Sequence, residues 1–376
     1  MEGSIRRTRL VACLVAVVVL ASVLGACGSS SGTRPPAGSP ASSAAAPGSA
    51  GPDQPGAGGT QPGGGASQPG GDADPDVDFT TIPQIVREVE PSVVSILRSD
   101  AQGSGVIWSA DVVVTNNHVV DGVTELTIAF ADGTRARGHV LARDPLTDLA
   151  VVKSDRNNLP PATFAPQVPP VGSLAIAIGN PLGFENSVTA GIVSGQNRSI
   201  PGAAASAPAL VDLVQTDAPI SPGNSGGALV GPDGRIIGIN VAYLPPQESG
   251  AVAIGFAIPA PTVVDVVDQL LKTGRVEHAF LGVQSAPITP EIAERFGLGQ
   301  TTGALVVDVV PDSPAAKAGI KPGDVIVRVG DAQVNAVEDL LAALRHHQPG
   351  DQVTVRILRN GQQRDVVVTL GTLPSG

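Results

Sequence analysis

From Val93 to Phe256 the chain is a succession of short Val- and Ile-rich stretches, each bounded by Gly, Asp, Asn or Pro, with no long helical pattern between them. This limits the fold more than any other feature. Apolar runs of that length read as strands rather than helices. They fall at Val93–Leu97, Gly105–Trp108, Val112–Thr115, Leu126–Phe130, Arg135–Leu141, Leu149–Val152, Leu174–Ile178, Val188–Gln196, Ala228–Val230, Ile236–Tyr243 and Val252–Phe256. Ala131-Asp132-Gly133-Thr134 is a hairpin signal between two of them. Many short strands joined by turn residues predict a β-barrel or sandwich. Aromatic residues make up only 2% of the chain, so the core must be built from Val, Ile, Leu and Ala. Helical periodicity flanks the strands: Ile82, Ile85, Val86 and Val89 within Thr81–Glu90, and Val263, Val264, Val267 and Leu270 within Pro259–Leu271.

The N-terminal part carries an address rather than a fold. Arg6, Arg7 and Arg9 precede the uncharged apolar run Leu10–Leu24, which ends in Leu24-Gly25-Ala26-Cys27. A basic start, a short apolar core and small residues before a cleavage point describe a signal peptide. The run is short for a segment spanning about 30 Å of hydrocarbon. Its L-G-A-C ending resembles bacterial lipoprotein signals, which implies that residues 1–26 are removed and Cys27 carries lipid on the extracytoplasmic face of the cell membrane or envelope. Residues 27–78 are dominated by Gly, Pro, Ser and Ala without apolar periodicity, a composition that cannot build a core. Such a tether of about 50 residues reaches roughly 40 Å. Both cysteines, Cys13 and Cys27, precede the folded regions, so disulfides, thiolate chemistry and cysteine-held metal are not expected there. The net charge of −11 argues against a nucleic-acid partner. No nucleotide-binding G-x-x-x-x-G-K-[ST] is present, and no cofactor or metal is expected.

Three polar residues stand at the ends of apolar runs. V-V-V-T-N-N-H-V-V places His118 after one strand, D-P-L-T-D-L-A-V-V places Asp148 before another, and S-P-G-N-S-G-G-A-L-V places Ser225 before a third. A strand end holds the backbone rigid while its side chain faces a cleft. Each residue alone has an ordinary reading as a surface histidine, a turn aspartate or a loop serine. Together, in the order His, Asp, Ser, they match a chymotrypsin-like serine protease. T-N-N-H-V (115–119), T-D-L-A-V (147–151) and G-N-S-G-G-A-L (223–229) resemble the three catalytic motifs of the HtrA/Deg family. G-S-G-V-I (103–107), I-G-N-P-L-G (178–183), Q-T-D-A (215–218), G-I-N (238–240) and G-F-A-I-P (255–259) also resemble that family.

The resemblance implies a double β-barrel protease domain over 79–272 and assigns roles. His118 is the base, Asp148 its orienting carboxylate and Ser225 the nucleophile. Gly223, Asn224 and Ser225 form the oxyanion hole, with N–H donors from Gly223 and Ser225 and Asn224 shaping the turn. Pro219 lies at the bottom of the specificity pocket, and Ile239, Asn240 and Val241 line the substrate cleft. With Pro219 in place of an acid, a preference for Lys or Arg is not expected; Asn224, in place of an aspartate, argues against zymogen-style activation. Arg198 matches the family's sensor-loop arginine; its ordinary reading is a solvated loop charge. Two departures stand out: the connection from Arg98 to Gly103 is too short for the loop that joins many relatives into cages, and Pro222 stands where an arginine is common.

The second folded region, 278–371, mixes strands (Leu305–Val310, Val325–Val329, Val353–Leu358, Asp365–Leu370) with helices (Pro314–Ala318, Val337–His346). Ser313 and Pro314 start the first helix and Gly319 ends it. Arg359-Asn360-Gly361 is a hairpin turn. S-P-A-A-K-A-G-I-K-P-G-D-V-I resembles a PDZ domain, an α+β fold, with Phe280, Leu281, Gly282 and Val283 as its carboxylate-binding loop. Phe280 and Leu281 also read as plain core. His346 and His347 are expected to cap the helix C-terminus. The chain as a whole thus resembles an ATP-independent envelope serine endopeptidase acting on unfolded or misfolded proteins, regulated by C-terminal peptides at the PDZ domain and, by family habit, trimeric. Two other readings are a PDZ-bearing chaperone or adaptor with little protease activity, and a regulatory protease cutting one membrane protein.

Overall fold

The computed structural model describes residues 81–374 except 181–186, 205–206, 245–253, 297 and 299. Cys27, the signal segment and the linker through residue 78 lie outside the described residues. Everything described belongs to one compact unit, Asp72–Gly376. The fold is mostly β.

Helix α1 (Ile82–Val89) buries Ile85 and Val89 and leads through a short 3₁₀ turn into the first barrel. That barrel comprises β1 (Val93–Leu97), β2 (Gln102–Ser109), β3 (Val112–Asn116), β4 (Glu125–Ala129), β5 (Arg135–Asp144) and β6 (Leu149–Ser154), closed in the order β1-β2-β3-β6-β5-β4. Closure removes the open edges that a free sheet would expose. A one-turn helix, α2 (Asn117–Val120), follows β3. Val94, Ile96, Ile107, Val113, Ile128, Ala150 and Val152 fill the interior, joined by one aromatic ring, Phe130. The β1–β2 connection is a tight turn in which Arg98 N–H donates to the Ala101 carbonyl at 2.9 Å.

The second barrel closes in the order β10-β11-β12-β9-β8-β7, from β7 (Leu174–Gly179), β8 (Ser187–Ala204), β9 (Ala207–Thr216), β10 (Ala228–Val230), β11 (Ile236–Leu244) and β12 (Ile254–Pro259). The strand periodicity misses β9. Leu210, Val211, Leu213 and Val214 are all buried, so they show no alternation, and Asp212 interrupts them at φ +63°. Helix α3 (Ala260–Thr273) closes this half, burying Val263, Val266, Val267 and Leu270 and ending on Gly274 in the left-handed region.

A third set of strands carries β13 (Ala279–Phe280), β14 (Val283–Pro287), β15 (Ala304–Val309), β16 (Val325–Val329), β17 (Ala332–Gln333), β18 (Gln352–Arg359), β19 (Gln362–Thr369) and β20 (Gly371–Thr372). Its sheet runs β14-β15-β16-β18-β19, with β17 on β16 and β13 paired to β20. Three helices accompany it: α4 (Pro290–Phe296), α5 (Pro314–Lys317), capped by the Ser313 hydroxyl, and α6 (Val337–Arg345). Strand β14 is an edge strand, and α6 lies against it.

Candidate active site

The antiparallel pairing of β3 with β6 sets Asn116 opposite Leu149, which brings His118 and Asp148 together at one end of the first barrel. Asp148 is 1% exposed and sits at φ +56°, a left-handed conformation that aspartate tolerates better than most residues. Its carbonyl accepts Asn117 N–H and Asn116 Nδ2, both at 3.0 Å. Its carboxylate accepts the His118 backbone N–H at 2.9 Å on Oδ1 and meets the imidazole Nδ1 at 2.7 Å on Oδ2. A carboxylate only accepts, so Nδ1 carries the proton and Nε2 is left as the acceptor. The imidazole side chain is 46% exposed, open to an incoming group.

Ser225 comes from the second barrel, in the turn between β9 and β10. The Asn224 N–H donates to the Ser221 carbonyl at 3.0 Å, closing a turn with Pro222 and Gly223 at its centre and Gly223 at φ +98°. This is a type II arrangement, in which proline suits the first central position and glycine the second. Pro222 therefore has a structural account: its ring holds the backbone angle that the turn requires. Pro222→Ala is expected to cost about 0.4–1 kcal/mol by loosening the unfolded chain, read as a lower urea midpoint with an unchanged slope. The Asn224 N–H is thus committed within the turn, whereas those of Gly223 and Ser225 have no acceptor among the described residues. Ser225 Oγ donates to the Val241 carbonyl at 3.2 Å, and no hydrogen bond joins it to His118 among the described residues.

The remaining expected residues are placed as follows. Pro219 is exposed, and its carbonyl accepts the Thr189 hydroxyl at 2.7 Å. Asp217 Oδ1 accepts Ile192 N–H at 2.7 Å, a structural use. Ile239 and Asn240 do not line a cleft with their side chains: both are fully buried, Ile239 in the core and Asn240 Nδ2 on the Ala228 carbonyl at 2.9 Å. The reason is that β11 is covered on both faces here: Ile236 to Val241 are all buried, with a bulge between Asn240 and Ala242. Arg198 lies on β8 with its guanidinium against Gly195.

A different arginine joins the two folded regions. Arg345, at the end of α6, donates to the Val211 carbonyl at 2.7 Å and the Leu146 carbonyl at 3.2 Å. His346 faces Asp212 at 3.4 Å rather than serving only as a cap. Burial lifts the Asp212 carboxyl above the ordinary range although His346 and Arg345 oppose it. His278 Nε2 meets Asp144 Oδ1 at 3.0 Å, and Thr147 N–H caps the other oxygen of Asp144 at 3.2 Å. Leu146, Thr147 and Asp144 form the turn that delivers Asp148. The D-P-L-T-D spacing, an aspartate three residues before a threonine, was the one local sign of that turn. Burial alone would raise Asp144, but the hydrogen bond and charge of His278, with the Thr147 hydroxyl and N–H, outweigh it and hold the carboxyl below its usual value. A carboxyl depressed in the folded state adds stability above its unfolded value, about 3.9, and loses it as pH falls through the folded one. Asp144→Asn should therefore lower the melting temperature at pH 6, with a gap to wild type that shrinks below about pH 4. A gap that stays constant from pH 6 to pH 3 contradicts this.

In the third region, Leu281 is 1% exposed, packed in the core, and its carbonyl accepts Ala315 N–H at 2.9 Å. Gly282, at φ +88°, turns its carbonyl to Val310 N–H at 2.9 Å. The N–H groups of Leu281 and Gly282 have no acceptor among the described residues. Phe280 is half-buried, and Val283 pairs with Val309. A cavity of about 800 Å³ lies away from Ser225, between the barrels and α6, lined among others by Asn197, Asp212, Thr147, His278 and Arg345.

Comparison with known proteins agrees with this architecture. Residues 103–239 match a trypsin-like peptidase domain and residues 279–370 a PDZ domain. The chain is 40% identical over 274 residues to a probable periplasmic serine endoprotease, DegP-like, of Halomonas elongata, covering 72% of this chain and 56% of the relative. A protein of the same description from Rhizobium meliloti is 42% identical over 282 residues, with 74% and 55% covered. The chain thus spans little more than half the length of these relatives. Among solved structures, the HtrA-type protease AlgW with a decapeptide is similar at TM-score 0.63 and 34% identity, covering 78% of this chain and 99% of that one. A serine endoprotease from Yersinia pestis is similar at TM-score 0.59 and 34% identity, covering 78% and 98%.

Proposed function

Because the chain belongs to the HtrA family, a trypsin-like peptidase domain followed by one PDZ domain, we propose that it is an ATP-independent serine endopeptidase of the cell envelope. The observation that carries this reading is the joining of a buried Asp148 carboxylate to the Nδ1 of an accessible His118, opposite a serine turn with two unclaimed N–H groups.

The chemistry follows from the geometry. Ser225 is a weak nucleophile until a base takes its proton. His118 Nε2 is the acceptor, because Asp148 fixes the proton on Nδ1 and stabilises the imidazolium that forms. The Ser225 hydroxyl donates to the Val241 carbonyl, so rotation about one side-chain torsion must precede attack. Oγ then adds to the scissile carbonyl carbon, the serine proton passes to His118, and the carbonyl electron pair moves to an oxygen held by the N–H groups of Gly223 and Ser225. The imidazolium returns the proton to the departing amine, and water repeats the sequence on the acyl-enzyme.

Substrates on this reading are unfolded or damaged proteins, whose extended backbone can enter a shallow cleft with apolar side chains preferred. The PDZ region takes a C-terminal peptide: its carboxylate meets Leu281 and Gly282 N–H, and its backbone extends edge strand β14 beside α6. The bonds of Arg345 and His278 to the Asp148-bearing turn give that peptide a route to the site. Lipid at Cys27 anchors the chain on the extracytoplasmic face, and a trimer remains the family's assembly. A fluorophosphonate probe and β-casein test the activity together. Wild type should be labelled at one serine and degrade casein; absence of both overturns the reading. For the anchor, Cys27→Ser should move the protein from the membrane fraction to the soluble one, and unchanged fractionation defeats it.

A further inference from the structure

Ser104, in the middle of β2, is 0% exposed and belongs to the first barrel, yet its bonds reach the second. Its hydroxyl donates to the Gly223 carbonyl at 2.7 Å and accepts Asn180 N–H at 2.8 Å. Its own N–H donates to the Ser225 carbonyl at 2.8 Å, and its carbonyl accepts the Thr115 hydroxyl at 2.6 Å. The two residues of the turn with unclaimed N–H groups, Gly223 and Ser225, are therefore the same two whose carbonyls Ser104 holds.

The surroundings bring the two backbones together. A Cβ on Gly103 would lie 3.2 Å from the Ser225 carbonyl oxygen, and one on Gly226 2.1 Å from the Ser104 carbonyl oxygen. Glycine at 103 on the strand and at 226 on the turn leaves room for this approach. Serine suits the centre of that strand: one small hydroxyl donates and accepts at once, linking Gly223 C=O to Asn180 N–H. Alanine would remove both bonds in a buried site, where a lost partner is most costly.

We infer that Ser104 is a positioning residue for oxyanion stabilisation: from the first barrel, its hydroxyl and N–H grip the Gly223 and Ser225 carbonyls, and so clamp the peptide groups on either side of the one that carries the Ser225 N–H. The role rests on the proteolytic reading above. Such a group touches neither substrate nor the reacting atoms, so losing it should cost less than the ~10²–10³-fold of losing a donor outright.

The test compares Ser104→Ala with wild type and with Ser95→Ala. Ser95 makes a similar buried hydroxyl bond to the Asn180 carbonyl but does not touch the turn. For Ser104→Ala, kcat on a peptide substrate should fall about 10- to 100-fold with KM within about threefold. Affinity for a peptide aldehyde should fall by the same factor as kcat/KM. The aldehyde adds Ser225 Oγ to its carbon and places its oxygen in the hole, mimicking the transition state. Binding of an uncleaved peptide in a Ser225→Ala background should not change. Ser95→Ala should lower the melting temperature without moving kcat or aldehyde affinity. Ser104→Cys keeps the side-chain shape with a slightly larger atom and weakens both side-chain bonds; it should show the same pattern at reduced size and decides the matter if the alanine variant does not fold. Unchanged kcat in the Ser104 variants, or equal losses in Ser95→Ala, overturns the role of Ser104 alone. A wild type inert to fluorophosphonate overturns the proteolytic reading and this inference with it.

Discussion

Ser225→Ala should lower casein degradation roughly 10⁶-fold, and His118→Ala should do nearly the same. The two losses do not add, because nucleophile and base act as one unit: the double variant should be no slower than either single one. The imidazole matters only through the proton it takes from Oγ, and the Asp148–Nδ1 bond at 2.7 Å has no other consumer. Residual turnover near 10³–10⁴ above water would come from the donors of the serine turn and from substrate binding. The check is single-turnover cleavage of a quenched peptide by purified variants, with fluorophosphonate labelling as a second channel. A Ser225→Ala protein that still degrades casein at a hundredth of the wild-type rate would exclude this residue as nucleophile.

Gly226→Ala should damage both stability and turnover. Gly226 is at φ +82°, where a side chain is strained by about 1 kcal/mol or more. The new Cβ would also fall 2.1 Å from the Ser104 carbonyl and 2.4 Å from Thr115 Oγ1. Neither neighbour can step aside: the first is backbone within β2, and the second is buried and bonded to that same carbonyl. Overpacking of this kind costs about 1–3 kcal/mol, so a total of about 2–4 kcal/mol should lower the melting temperature by roughly 5–15 °C. The turn must move away from the first barrel to make room. A displacement of about 1 Å at a nucleophile costs on the order of 10²-fold in rate. Calorimetry and kcat measured well below the transition check the two effects separately. A variant with wild-type melting temperature would show that the barrels do not meet as closely as described.

Much of this was legible in the chain. Strands such as Val112–Asn116 and Leu174–Gly179 announce themselves by β-branched runs between turn residues, and His118, Asp148 and Ser225 stand at the ends of such runs. Strand β9 was not legible, because a strand buried on both faces loses its period and Asp212 breaks the run. The turn around Pro222 was hidden for another reason. Its signal is the Pro222-Gly223 pair rather than either residue alone, and the Asn224–Ser221 hydrogen bond identifies the turn. Least legible were contacts between distant segments. Arg345 lies 134 residues from Val211 and 199 from Leu146, and nothing local to α6 indicates that its half-buried arginine bonds to another region. For Ile239 and Asn240 a motif gave the neighbourhood, whereas the burial of both side chains follows from packing on both faces of β11, which no local pattern announces.

On the proposed reading the chemistry is divided between two closed barrels, His118 and Asp148 on one and Ser225 on the other, and Ser104 bonds from the first to the serine turn. Read along the direction of synthesis, the base and its carboxylate emerge from the ribosome well before the nucleophile. A chain interrupted anywhere before β10 carries half a reaction. On the proposed reading, the order of synthesis leaves the nascent chain without a complete proteolytic site until both barrels have closed.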